Sequence, residues 1–374
     1  MRTVVVNSYM PTLDSGRARR TYALIRALAA NGPVTLVYGA FGGSGVDPAF
    51  DDIDGLELRR VDRPGRLERL PAYARARRAG VPKDFARGIW PRLAAVAARL
   101  AGSDGANRLI AEGPVAAAGM LPLAHRRPVV YSAHNLESSF RHRLDRDRIP
   151  KPALERFERL LLGNFEESWM VSPADMAGAA ALCPQARLRL VPNVVDVAAI
   201  RPVGAPTGHR DVVFVADLTY EPNDQALGFL VDEVMPAVWA QDSDVRLLVA
   251  GKGSERVDAG DRRIEGRGFV PDLAAFYGEA GCAVVPLLEG GGSPLKFVEA
   301  LAYGLPIVAT PTAAAGLEVS PGRDYLEADP SPAPFAEAIL TSFDPDVARR
   351  LGAGARTLAE AKYSIESLVA TVAP

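Results

Sequence analysis

The chain has 374 residues, 48% hydrophobic and 24% charged, with a net charge of −2, a composition that fits an ordinary globular protein and a length that suggests two domains. Nothing approaches the ~18 to 20 apolar residues of a membrane span. The opening MRTVVVNSY is too short for a signal-peptide core and fits a first strand, so the cytoplasm is the expected location. Cys183 and Cys282 stand far apart without C-x-x-C spacing, which suggests neither a disulfide framework nor a cysteine zinc site, and both are expected as reduced core thiols.

From the N-terminus, short apolar runs of strand type alternate with helical patterns, the order expected of βα repeats on a parallel sheet. The first half offers strands over 3–8, 34–39, 56–61, 108–112, 129–133, 168–172 and 188–192. A helix over 17–30 places Tyr22, Ile25, Leu28 and Ala29 on one stripe. Prolines, glycines and small residues then interrupt the alternation in VPNVVDVAAIRPVGAPTGHRD, residues 191–211. The second half offers strands over 212–217, 246–251, 263–269, 282–288 and 306–310, and a helix from about Asp224 to Ala240. The expected fold is α/β, with two tandem Rossmann-like doubly wound domains over 1–192 and 193–355. A C-terminal helix over 356–374 is expected to pack back on the first domain. Open sheets of this kind bind ligands beyond the carboxyl ends of their strands, so a shared site is expected on loops in the interdomain cleft.

Charge separates the halves. Residues 1–192 carry 29 Lys and Arg against 19 Asp and Glu, whereas residues 193–374 carry 14 against 26. Eleven of the basic residues lie between Arg59 and Arg92, facing only Asp62, Glu68 and Asp84 and interleaved with Leu67, Leu70, Tyr73, Phe85, Ile89 and Trp90. Two readings stand for this segment: peripheral contact with an anionic membrane surface, or a solvated arginine-rich face.

The richest stretch is PLLEGGGSPLKFVEALAYGLPIVAT, residues 286–310: a strand, three glycines, a helix and a second strand. Ser293 is placed as N-cap and Pro294 as the first helical residue, so the helix is expected to start at 293 or 294. Glycines that let a ligand approach the backbone, followed by free helix amides, form a phosphate-binding arrangement. Lys296 in the first turn opposes the helix dipole and points to an anionic ligand. Glu299 lies one turn on, where it can either accept bonds from ribose hydroxyls or pair with Lys296.

GGGSPLKFVEALAYGLPIVATPTAAAGL (290–317) resembles the donor-binding segment of retaining glycosyltransferases of the GT-B fold, in particular glycosyltransferase family 4. The likeness extends over FVADLTYEPNDQALGFLVDEVMP (214–236), GFVPDLAAFYGEAGCAVVPL (268–287), VPNVVD (191–196) and YLEADPSPAPFAEAI (325–339). In the first half it takes in SYMPTLDSGRARRTYALIRAL (8–28) and SAHNLESSFRHR (132–143), the latter similar to the His-Asn segment of the acceptor domain, which implies acceptor binding by 1–192 and nucleotide-sugar binding by 193–355. The resemblance implies transfer of a sugar from a nucleotide diphosphate sugar to an acceptor hydroxyl, with retention and without metal, cofactor or nucleic-acid partner. It implies donor binding by Gly16, Gly291, Gly292, Ser293, Leu295, Lys296 and Glu299, with further donor contacts at Asn223, Phe269 and Val270. Glu299 matches the ribose-binding glutamate of the family's E-x7-E pattern. The first glutamate falls on Gly291, and a basic pair that neutralises the diphosphate falls near Asp217 and Asn223, neither of them basic. Lys296 is expected to supply part of that charge. His134 matches the histidine beside the reacting sugar, and Gly16 the glycine of the first loop.

The residues alone leave alternatives open. His134 reads either as a reaction-centre group or as a hydrogen-bonded core histidine. DRD (145–147) has the form of a metal-binding D-x-D, but no apolar strand precedes it and arginines surround it, which favours a solvated helix end. The four histidines give no i,i+4 metal pair, and neither a Walker loop nor G-x-G-x-x-G follows the first strand, which argues against an ATPase or a nicotinamide enzyme. A non-catalytic subunit that binds a nucleotide sugar or a partner enzyme is the alternative function.

Overall fold

A computed structural model of the chain describes residues 2–39, 45–102, 108–139, 149–203, 208–257, 260–290 and 292–374. The chain forms two compact units, residues 1–192 together with Leu368–Pro374, and Asn193–Ser367. In the first unit seven parallel strands run β1 Thr3–Asn7, β2 Val34–Gly39, β3 Leu56–Val61, β4 Arg108–Glu112, β5 Val130–Ser132, β6 Glu167–Met170 and β7 Leu188–Leu190, in the order β3-β2-β1-β4-β5-β6-β7. The order reverses between β1 and β4, which share an in-register pairing from Thr3 with Arg108 to Asn7 with Glu112. β1 is buried on both faces, which explains its unbroken run of valines.

The second unit has β8 Asp211–Val215, β9 Leu247–Ala250, β10 Ile264–Gly266, β11 Ala280–Val285, β12 Ile307–Ala309 and β13 Leu326–Glu327, in the order β10-β9-β8-β11-β12-β13. All pairings are parallel, and the switch point lies between β8 and β11. The two-residue strand β13 is too short to leave a pattern in the sequence. Each sheet has its own core, with Trp90 and Phe157 prominent in the first unit and Phe214, Phe297 and Phe335 in the second. Cys183 and Cys282 are free and buried, and burial pushes the Cys282 thiol up to about 12.

Several helices differ from the sequence expectation for identifiable reasons. The first runs Gly16–Ala30, but its buried face is Arg20, Thr21, Leu24, Ala27 and Leu28 with Ala23 and Ile25, while Tyr22 turns aside to meet Phe50 edge-on at 5.2 Å. The helix expected over 224–240 starts at Glu221 and contains a π turn at Leu230–Val234, closed by the Met235 amide on the Leu230 carbonyl. Pro236, with no N–H to give to the previous turn, accounts for the distortion. The C-terminal segment is two helices rather than one, Pro345–Lys362 and Ile365–Thr371. The Tyr363 carbonyl accepts from the Val195 amide, and Ser364 Oγ accepts from the Ser367 amide, capping the second helix. Beyond it the chain is held to the first unit by Arg108, which donates to the Val372 carbonyl at 2.6 Å, and by Arg189, which donates to that of Thr371 at 3.1 Å.

The basic segment is not a single surface strip. Phe85, Ile89 and Trp90 are core residues, each no more than 6% exposed, so the apolar side chains left facing outward are Leu67 and Leu70, with Tyr73 half-buried. Half of the apolar contacts that a lipid-touching segment would use are therefore spent on the interior. Among the described residues no helix is long and apolar enough to cross a membrane.

Candidate functional site

The carboxyl edge of the second sheet gathers the residues singled out around the glycine run. The helix there spans Leu295–Tyr303, later than the expected 293 or 294. Ser293 does not cap it: the Ser293 carbonyl accepts from Asn193 Nδ2 at 2.8 Å, and the Phe297 amide turns instead to the Pro294 carbonyl at 3.0 Å. Pro294, extended at ψ 111°, becomes the flanking residue, and Ser293 Oγ is left buried with no hydrogen-bond partner among the described residues. The amides of Leu295 and Lys296, in the first turn, have no intrahelical acceptor. Gly291 lies outside the described residues. Gly292 sits at φ +72°, a conformation that favours glycine.

Lys296 reaches across to the loop after β8. Its Nζ donates to Asn223 Oδ1 at 2.5 Å and lies 4.8 Å from the centre of the Phe214 ring, while Asn223 Nδ2 donates to the Asp217 carbonyl at 2.8 Å. The ammonium thus stands between the loop after β8 and the start of the helix after β11, at the switch point. Burial lowers its pKa to about 7, against an opposing pull from the charge of Glu299. Glu299 is itself buried, on the same helix one turn further in. Leu295 is half-buried at the helix start, and Gly316 presses against the glycine turn so closely that a Cβ there would stand 1.7 Å from the Gly292 carbonyl oxygen. Gly316→Ala is accordingly expected to lower stability by about 1 to 3 kcal/mol and to shift the 292–293 turn. Thermal unfolding checks the first effect, and an unchanged melting temperature would contradict it.

Phe269 and Val270 follow β10 on the same edge. Phe269 is 75% exposed, unusual for an aromatic side chain, whereas Val270 packs partly against the core. Three strand spacings separate β10 from β11, about 14 Å.

The lowered pKa of Lys296 makes a testable prediction. An anion bound here would be held by the ammonium form, and that form is depleted in the free protein as pH rises past about 7. Anion binding must then take up a proton, so affinity is expected to fall above pH 7 by up to about tenfold per pH unit. Titration of a nucleoside diphosphate between pH 6.5 and 8.5 should show this slope in the wild type and a flat profile in Lys296→Met. A flat wild-type profile would contradict the assignment.

In the first unit His134, just beyond β5, hydrogen-bonds through Nε2 to Glu112 Oε1 at 3.0 Å. Glu112 ends β4, is fully buried, and also accepts from Thr21 Oγ1 at 3.2 Å. Burial works against its charge, but the hydrogen bond and charge of His134 and the charge of Arg20 outweigh it and hold its pKa below the ordinary carboxylate value. Arg20, buried in the first helix, donates to the Val191 carbonyl at 3.0 Å. The loop carrying His134 is pinned further on, with the Leu136 amide on Asp175 Oδ1 at 3.1 Å and the Ser138 amide on Glu158 at 3.3 Å. Burial raises Glu158 to about 7. Gly113, at φ +81°, follows Glu112, and a Cβ on it would stand 2.6 Å from His134 Cε1, so glycine makes the seat for the imidazole. The histidine is therefore hydrogen-bonded, as the core reading requires, yet its side chain keeps 10% exposure at the carboxyl edge of the sheet.

Glu112, Gly113, Thr21 and Arg20 were not singled out from sequence. The available signal was an acid closing an otherwise apolar strand, RLIAE, followed at once by Gly-Pro. Gly16 opens the first helix, which Ser15 caps by accepting from the Ala18 amide at 3.3 Å. Beside it lies a cavity of about 270 Å³ lined by Asn7, Tyr9, Ser15, Arg17 and Thr21 among others. Asp145 and Asp147 lie outside the described residues. Among the described residues there is no group of three or more His, Cys, Asp or Glu that could hold a metal ion.

Residues 209–344 match the family model described as glycosyl transferases group 1. No curated protein sequence matches the chain significantly. Among solved structures, the sucrose-phosphate synthase of Thermosynechococcus elongatus is similar with a TM-score of 0.71 and 18% identity, over 99% of this chain and 97% of that one. HepE of Anabaena in complex with UDP and glucose gives 0.69 and 13%, over 100% and 98%. The lipopolysaccharide outer core galactosyltransferase WaaB gives 0.66 and 11%, over 99% and 98%. These likenesses show the fold: two parallel α/β sheets of the GT-B type.

Proposed function

We propose that the protein transfers a glycosyl group from a nucleoside diphosphate sugar to an acceptor hydroxyl. The observation that carries this reading is the Lys296 ammonium held on Asn223 at a helix start where Ser293 Oγ has no partner among the described residues, with Glu299 one turn behind. The diphosphate would lie on the first-turn amides and Lys296, and the ribose hydroxyls on Glu299. Phe269 and Val270, about 14 Å along the sheet edge, would meet the base. The group 1 match over 209–344 and the UDP-bound state of a similar structure support a nucleotide donor.

The chemistry follows from where charge develops. As the bond from the anomeric carbon to the phosphate oxygen breaks, negative charge grows on the leaving diphosphate, and the ammonium, amides and helix dipole stabilise it. These groups supply positive charge without a metal, and we infer metal-independent transfer; retention at the anomeric carbon is inferred from the resemblance of residues 290–317 to retaining glycosyltransferases. We assign His134 to the reacting sugar, with Glu112 fixing its ring.

A panel of nucleoside diphosphate sugars, screened by thermal shift and then by turnover in the presence and absence of EDTA, tests the proposal. A true ligand at 100 times its dissociation constant should add ~2.7 kcal/mol of stability, and turnover should survive the chelator. Loss of turnover in EDTA with recovery in manganese would contradict metal independence, and binding without turnover of any donor would favour a non-catalytic subunit.

A further inference from the structure

A second cavity of the first unit, about 590 Å³, is lined by four arginines. The helix Arg66–Arg78 turns Arg66, Arg69, Leu70 and Tyr73 into it, the i, i+3, i+4 and i+7 positions of a single face. Arg63 joins from the segment before the helix and Arg87 from the opposite wall, where Asp84 pairs with it at 3.6 Å. Among the described residues Arg63, Arg66 and Arg69 form no ion pair, and Arg69 Nε is buried without a hydrogen-bond partner. Tyr9 lines this cavity and also the smaller one beside the first helix. Val115, on the far wall, lies two residues past Gly113, the seat of His134, so the cavity opens at the same carboxyl edge.

A solvated arginine face would spread its guanidinium groups over a convex surface. Here four of them line one open concavity, with Arg63, Arg66, Arg87 and Leu70 still exposed at its mouth and Arg69, Tyr9 and Tyr73 half-buried. Guanidinium groups match phosphate, sulfate and carboxylate oxygens in paired hydrogen bonds, and the aromatic and leucine side chains suit a ring or alkyl portion. We propose that this cavity holds the acceptor, and that the acceptor is a small molecule with an anionic group beside an apolar or ring moiety. The inference rests on the glycosyl-transfer reading and names its second substrate by class. The arginines act by binding and take no part in bond breaking. The remaining basic residues of the helix, Arg75, Arg77 and Arg78, lie outside the cavity lining.

Calorimetric titration with phenyl phosphate, benzyl alcohol and inorganic phosphate tests the class directly. Phenyl phosphate is expected to bind, inorganic phosphate to bind more weakly, and benzyl alcohol not to bind. The double variant Arg66→Ala/Arg69→Ala should weaken phenyl phosphate at least tenfold with its melting temperature unchanged, whereas Arg78→Ala should leave binding unaltered. No binding of phenyl phosphate, or an equal loss in Arg78→Ala, would overturn the proposal. So would phosphatidylglycerol vesicles that bind in an Arg78-dependent way while phenyl phosphate does not bind. Each preparation is also titrated with UDP, which separates the two readings. UDP binding without phenyl phosphate binding removes the anionic acceptor and leaves the transferase. Arg66- and Arg69-dependent phenyl phosphate binding, with no nucleotide bound, supports the anion cavity and removes the transferase.

Discussion

Replacing His134 with alanine is expected to lower donor turnover by about 10² to 10⁴ while leaving nucleotide affinity nearly unchanged. The imidazole stands over Gly113 with Nε2 on the buried Glu112 carboxylate, an arrangement that fixes the ring and favours its donor form at that nitrogen. A group that acts on the reacting sugar as its bond breaks contributes to kcat and kcat/KM alike. Glu112→Gln keeps the shape of the partner and removes its charge, so it should act in the same direction with a smaller loss. Steady-state kinetics with UDP inhibition measured in parallel checks both variants. A fall in melting temperature with full turnover would return His134 to a structural role in the core.

Glu299→Ala is expected to weaken UDP by about 10- to 100-fold, the loss of one hydrogen bond to a charged group at ~1.5 to 3 kcal/mol. The side chain is buried and its charge supports the ammonium of Lys296, so its removal also depresses Lys296 further. A ribose-specific role makes a sharper statement. The wild type should prefer UDP over its 2′,3′-dideoxy analogue, and Glu299→Ala should bind the two equally. Equal binding of both ligands by the wild type would remove Glu299 from the ribose.

The strand positions were largely legible because parallel strands buried on both faces leave continuous apolar runs such as VVV in β1 and VVF in β8. The two-residue β13 left none. Local signals misplaced the helix after β11: Ser293 has the chemistry of an N-cap, but its carbonyl is taken by Asn193, 100 residues away in sequence, and propensity cannot register such a partner. Pro236 could have announced the π turn, since it removes one donor from an otherwise regular helix. Lys296 was legible as an odd cation in a first turn, yet its seat on Asn223 depends on the pairing of β8 with β11. Glu112 was hidden for the same reason: its partners Thr21 and His134 lie on different elements that only the sheet brings together. The basic segment shows the reverse error, for alternating arginine and apolar residues suggest a surface, but Phe85, Ile89 and Trp90 belong to the core.

Glycosyl transfer from a nucleotide donor is tested most directly by proton NMR of the purified protein incubated with the nucleotide sugar that stabilises it most in the thermal screen. The account predicts that the nucleoside diphosphate and the free or transferred sugar accumulate together, catalytically and in the presence of EDTA, with the sugar appearing first in the donor's own anomeric configuration before mutarotation. Saturable binding of that donor with no release of nucleoside diphosphate above the protein-free rate would contradict the account and leave a nucleotide-sugar-binding subunit.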